Sequence, residues 1–339
     1  MRLLRRRSRE PEQPTRQAGP SGAQALPPQP ERTEPPLEDP GLGDLSRRDA
    51  TAIAKRTVKS ALADGITDLA AALAYYSFLA IPSVLLVAVG VFSLVAGPDA
   101  ITTVIDKVGT VVPEQATQLV EDSLRRLNQN QGGSLALTIV GFVLAVWTTT
   151  SAMTSFMRAL NRAYGREETR NFVHVRLVAI TMVVILAIGV VLVFGLLVLG
   201  PSLSDWIGSA LGFGSFFTWL WWVVEWPIMI VALLGAFATL LYLGPNVDQP
   251  KWTFLTPGAI LAVVVWLLAS GAFAFYTSMF SSYNKAWGSL AAVIIMLTWL
   301  WLSALALLIG AELNAEAERS RELRAGEGGA AAIEAPPKA

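Results

Sequence analysis

The chain has 339 residues, with 26 basic and 26 acidic side chains, one histidine and no cysteine. Zero net charge gives no electrostatic case for nucleic acid or an acidic substrate, and the missing thiols exclude disulfides, thiolate nucleophiles and thiolate metal sites. With 53% hydrophobic and only 15% charged residues, against about 25% charged in an ordinary soluble domain, the apolar excess points to a bilayer as the solvent.

Residues 1–45 hold nine of the nineteen prolines and almost no large apolar side chains. Such a segment cannot bury enough surface to offset the entropy of ordering, so a disordered Pro-rich cytoplasmic tail is expected. Its basic start lacks an apolar core and a small-residue cleavage site, which argues against a signal peptide. From Ser46 to Ala63, Ile53, Ala54, Val58, Ala61 and Leu62 alternate at helical spacing with Arg48, Lys55, Arg56 and Lys59. This predicts a basic amphipathic helix lying on the inner leaflet; the competing reading is a helix docked on a bundle.

Six apolar runs follow, at about 67–97, 133–157, 175–200, 215–243, 253–280 and 288–313. Each is long enough to cross a hydrocarbon layer of about 30 Å as a helix. Between the first two, Ile101, Val104, Ile105 and Val108, then Pro113 to Leu127, show helical periodicity, predicting a small helical external loop. Six spans leave 22 Lys and Arg on one side and four on the other. By the positive-inside rule both termini are then cytoplasmic. The expected organisation is a tail over 1–45, an all-α polytopic six-transmembrane-helix bundle over 46–318, and a C-terminal cytoplasmic tail over 319–339.

Several residues are candidates for a substrate or coupling site. Glu225, near the middle of the fourth run, is expensive to insert as a carboxylate, about 2.5–3.5 kcal/mol, so it is expected to face protein or water as a proton- or cation-responsive group; the alternative is a neutral, hydrogen-bonded carboxyl close to the outer interface. Asp68 and Tyr75 share one face of the first span and would line an inner vestibule; otherwise Asp64 and Asp68 compensate the helix dipole and the tyrosines pack. Arg162, Asn161 and Tyr164, with Asn246, Glu312 and Asn314, are expected around one cytoplasmic mouth, where basic and amide groups suit anionic lipid headgroups; the alternative is turn chemistry and anchoring. Pro82 and Pro227 interrupt the first and fourth spans as kinks or hinges. Ala70, Ala74, Gly258 and Gly271 are expected at close helix contacts.

Four stretches carry a likeness: Asp68 to Pro82 (DLAAALAYYSFLAIP), Asn161 to Gly165 (NRAYG), Leu243 to Asn246 (LGPN) with Pro257 to Ala259, and Trp287 to Leu290 with Thr298 to Trp301 and Gly310 to Asn314. In this order and spacing the chain resembles the YihY/BrkB family of bacterial inner-membrane proteins, which bears an old ribonuclease BN label. Trp287 stands where that family usually shows tyrosine. The resemblance implies six helices, cytoplasmic termini and residence in the bacterial inner membrane. A nuclease needs clustered histidines and carboxylates, whereas the single histidine, His174, sits in a basic turn; no phosphate-binding Gly-Lys loop is present either. The expected function is passage of a small solute or lipid, without a cofactor or metal, in contact with membrane lipids. A non-transporting membrane scaffold is the alternative, and an intramembrane enzyme the third.

Overall fold

The computed structural model describes residues 47–96, 135–211, 214–247, 256–279 and 289–325. The Pro-rich segment 1–45, the external loop expected over about 101–127, Trp287 and the chain beyond 325 lie outside these residues. All the regular structure described is helical: α1 (Arg47–Ala63), α2 (Ile66–Ala96), α3 (Leu135–Ala163), α4 (Phe172–Leu211), α5 (Gly214–Leu243), α6 (Pro257–Met279) and α7 (Ser289–Ala325).

Helix ends follow local chemistry. Gly65 and Gly165 hold φ values of 63° and 59°, the left-handed conformation that glycine adopts without steric cost. At α3 the amide of Gly165 donates to Arg162 O and that of Arg166 to Asn161 O, both at 2.9 Å, so the freed carbonyls of the last turn are satisfied in a Schellman arrangement. Asn171 caps α4 by accepting from the His174 amide at 2.8 Å. Thr256 caps α6 by accepting from the Ala259 amide at 3.1 Å, with Pro257 at the first helical position.

The long helices contact one another in sequence order, α2 through α7, and α7 closes the ring against α2. α7 also touches α3 and α5, which makes it the central helix. Antiparallel pairing of α6 with α7 is set by Trp266 Nε1 donating to Ser303 at 2.9 Å and Trp299 Nε1 donating to Ser270 at 3.3 Å. Along α3 and α4 the contacts advance in the same direction. Trp147 meets Phe172, Thr150 and Ser151 meet Arg176, and Met157 meets Ala179 and Met182. α4 therefore crosses α3 instead of running back beside it.

Packing is the inverse of a soluble core. Buried positions are dominated by small residues, including Ala70, Ala159, Ala262, Ala304, Ala306 and Ala311, while Ile188, Val191, Leu192, Leu268 and Phe275 are exposed. Large aliphatic side chains outside and small ones inside suit lipid around the bundle and close backbones within it. Gly258 and Gly310 show this most directly, since a Cβ on either would collide with the other's backbone carbonyl oxygen. Gly271 does not share that role: it is exposed, with open space around it.

Five helices among the described residues are long and apolar enough to cross a membrane, within α2, α4, α5, α6 and α7. α3, the remaining expected span, carries six hydroxyls in eight residues over Thr148–Ser155. Two expectations need correction. α1 is docked. Ile53, Thr57 and Ala61 are buried, Arg56 Nε pairs with Glu316 at 2.7 Å, and Arg56 also bonds Ser320, all against the end of α7. Secondly, α7 continues past residue 313 to Ala325 because Glu312, Ala315, Glu316 and Ser320 pack inward.

Candidate functional site

The signatures NRAYG and LGPN are far apart in sequence, with 85 residues between Asn161 and Asn246, and side by side in the fold. Asn161 Oδ1 accepts from the Asn246 amide at 2.6 Å, and Asn161 Nδ2 donates to Glu168 at 2.9 Å. Asn246 Nδ2 donates to Thr169 Oγ1 at 2.8 Å and to Glu167 O at 3.1 Å. Arg170 completes the clasp. Its guanidinium grips both Glu168 oxygens at 2.7 Å and donates to Gly244 O at 3.0 Å, with its side chain wholly buried. Burial pushes the Glu168 carboxyl up, but the hydrogen bonds and charge of Arg170, with the Asn161 amide, outweigh it and hold the group below the usual glutamate value. These amides therefore fasten the α3–α4 loop to the end of α5. Asn314 is engaged similarly, accepting from the Gly258 amide at 2.8 Å and donating to Thr256 at 3.2 Å, so it caps α6 from α7.

The remaining sequence candidates are dispersed. Arg162 is exposed, 3.8 Å from Asp64. Asp68 and Tyr75 face outward on α2, Tyr75 in edge contact with Tyr76 at 5.8 Å. Glu225 is half-buried on α5, 18 residues before Leu243, about 27 Å along the axis from the Asn246 turn. Pro82 and Pro227 are exposed inside helices that continue through them. Glu312 alone is fully buried with neither oxygen in a well-formed hydrogen bond.

A cavity of about 410 Å³ opens between α2, α3 and α4. Tyr76 and Leu79 line it from α2, Phe172, Val175 and Arg176 from α4, and Thr148, Ser151, Ala152, Thr154, Ser155 and Arg158 from α3. The hydroxyls bond their own helix: Thr148 donates to Leu144 O, Thr150 to Val146 O and Ser151 to Trp147 O, at 2.6–2.8 Å. Their donors are thus consumed and their lone pairs stay free. Arg176 Nη1 takes those lone pairs, donating to Thr150 at 2.9 Å and Ser151 at 3.1 Å, while Arg158 donates to Ser155 at 3.0 Å. The Arg176 guanidinium also stacks 4.0 Å over the Trp147 ring and 5.6 Å from that of Phe172. Hydroxyls and rings orient a cation without neutralising it, and neither arginine has a carboxylate partner among the described residues. The result is a cleft with two positive heads and apolar walls.

Sequence reasoning counted Arg158, Arg170 and Arg176 only among the 22 cations that set orientation. The available signal was the hydroxyl run 148–155, which is out of place in a lipid-facing helix.

Residues 57–334 match the family model described as Virulence factor BrkB. The chain belongs to the BrkB family. Among curated BrkB relatives, the ribonuclease-like protein YfkH of Bacillus subtilis is 30% identical over 62% of this chain and 76% of its own length. A UPF0761 membrane protein of Laribacter hongkongensis is 30% identical over 60% of this chain and 46% of its own. Another, from Stenotrophomonas maltophilia, is 28% identical over 75% of this chain and 58% of its own. The chain thus spans about half the length of the UPF0761 relatives. No solved structure matches it. It is a membrane protein of this family, with several helices able to span a bilayer.

Proposed function

We propose that this BrkB protein carries a small anionic amphiphile, a lipid or a lipid-like solute, across the bacterial inner membrane. The observation that supports it is the cleft between α2, α3 and α4, where Arg158 and Arg176 are held by hydroxyl lone pairs with no carboxylate partner among the described residues. An anionic head would pair with the guanidiniums, and its apolar part would lie against Leu79, Val175 and Phe172. An ionisable side chain set among membrane helices is expensive to keep, which favours a functional role over an incidental one. In this reading both termini are cytoplasmic. α1 presents Lys55 and Lys59, with Val58 and Leu62, toward anionic headgroups of the inner leaflet, since all four remain exposed after it docks on α7.

Reconstitution tests this. Vesicles containing the full chain are expected to pass an anionic amphiphile faster than its zwitterionic analogue, and Arg176→Gln is expected to slow the anion at least tenfold. Equal flux of the two analogues, or unchanged flux in the variant, would refute the assignment. The ribonuclease-like wording belongs to YfkH. A scaffold that recruits envelope proteins would instead lose its function on deletion of residues 1–45, whereas a carrier keeps its flux.

A further inference from the structure

Where the α1–α2 turn meets α7, Glu312 is fully buried and neither carboxyl oxygen is in a well-formed hydrogen bond, the Ser60 hydroxyl being the one donor beside it among the described residues. Its neighbours are the Asp64 carboxyl and Ser60 hydroxyl from the turn and the end of α1, and the Glu316 carboxyl one turn further along α7. Glu316 is already neutralised, by Arg56 at 2.7 Å and Arg319 at 2.9 Å. α2 contributes Ile66, Leu69, Ala70 and Leu73 to this junction, with the exposed Asp68 beside the Gly65 turn, and α3 contributes Phe156, Ala159 and Arg162, which reaches Asp64 at 3.8 Å and stays exposed. Among the described residues, no cation pairs with Glu312.

Two ionised carboxylates facing each other with no cation and only a serine hydroxyl beside them are strongly repulsive, and an unpaired buried charge is costlier still. A single proton removes both penalties, because a carboxylic acid supplies the donor that a carboxylate lacks. The two orphaned oxygens of Glu312 beside the Asp64 carboxyl are the heavy-atom picture of such a pair. We propose that Asp64 and Glu312 form a proton-binding site at the junction of α1, α2 and α7, one proton being held between the two carboxyl groups. Asp64 is part-exposed and Glu312 is not, so Asp64 is the port through which the proton enters from solvent and leaves to it. Burial raises the Asp64 carboxyl above its ordinary value, more than the Arg162 charge and the Glu312 contact lower it.

Occupancy has a mechanical consequence. With the proton bound, the α1–α2 turn is seated on α7; with it gone, Asp64 turns toward Arg162 and the two carboxylates push the turn away from α7. This site is independent of what the cleft carries, and its readout is spectroscopic.

Infrared spectra of the full chain in lipid nanodiscs, taken across neutral pH, test the assignment. The expected result is a carbonyl stretch of a protonated carboxyl at pH 7 that persists in Glu225→Gln and disappears in Glu312→Gln. If Glu312→Gln fails to fold, Asp64→Asn serves, and the pair is then expected to release its proton at least one pH unit lower. Absence of the band in the unmodified chain, its persistence in a folded Glu312→Gln, an unmoved release pH in Asp64→Asn, or its displacement by sodium ions would each overturn the proposal.

Discussion

Substituting Gly258 by alanine probes the α6–α7 seam with one methyl group. The new Cβ would fall inside the van der Waals envelope of the Gly310 carbonyl oxygen and 2.6 Å from Asn314 Cγ and Oδ1. The oxygen is helix backbone and cannot swing aside, so the helices must part by roughly 1 Å, at the about 1–3 kcal/mol typical of overpacking. Parting also strains the bond from the Gly258 amide to Asn314, now 2.8 Å, a loss of about 1 kcal/mol. Alanine's better helix propensity returns less than about 1 kcal/mol so near a helix start. The net expectation is a loss of about 1–3 kcal/mol, read as a lower midpoint when the protein is unfolded in mixed detergent micelles of rising SDS fraction. Gly310→Ala should fall with it, its Cβ meeting Ala262 Cβ at 2.8 Å as well as Gly258 O. Gly271→Ala, with no atom within 4 Å, should be neutral or stabilising by up to about 1 kcal/mol. Equal midpoints for Gly258→Ala and Gly271→Ala would refute a seam set by backbone contact.

Arg170→Ala removes the centre of the clasp between the α3–α4 loop and α5; breaking such a buried pair costs about 3 kcal/mol, the low end of its range because Glu168 keeps some solvent, and the same unfolding assay checks it. The two resolved carboxyls outside the spans give opposite pH slopes. Glu168, held below 4.5, contributes stability above that pH that is lost on acidification through its folded value, so a stability profile of Arg170→Ala should lack that acid-side loss. Asp64, raised above 3.8, contributes stability that is complete below that pH and lost as pH rises through its folded value; Asp64→Asn should flatten this branch.

Hydropathy placed the helices well because lipid imposes a length and a composition on each span, and α2 and α5 begin and end within one or two residues of their expected bounds. It did not show that Thr148, Ser151, Thr154 and Ser155 of α3 line a cleft. It also cut α7 short, since the alternating Ala and Glu of 311–318 look polar in sequence and become an inward face only against α1. Asn161, Asn246 and Asn314 were visible as unusual amides, but the bonds from Asn161 to Asn246 and from Gly258 to Asn314 join residues 85 and 56 apart, and only the fold shows that they close helix ends. Tyr75 and Asp68 shared a face, as the spacing required, but the face is the outward one. Arg176 was hidden by its company, because an arginine at a helix start reads as an interfacial anchor until Trp147 and Thr150 are brought against it.

The central claim is that the α2–α3–α4 cleft binds an anionic amphiphile through Arg158 and Arg176. A photo-crosslinking side chain placed at Ala152, on the cleft wall, measures this directly in the reconstituted full chain. Capture of an anionic lipid over its zwitterionic counterpart is predicted, falling at least tenfold when Arg158 and Arg176 are both replaced by glutamine. Capture that ignores headgroup charge, or survives loss of both guanidiniums, would contradict the account.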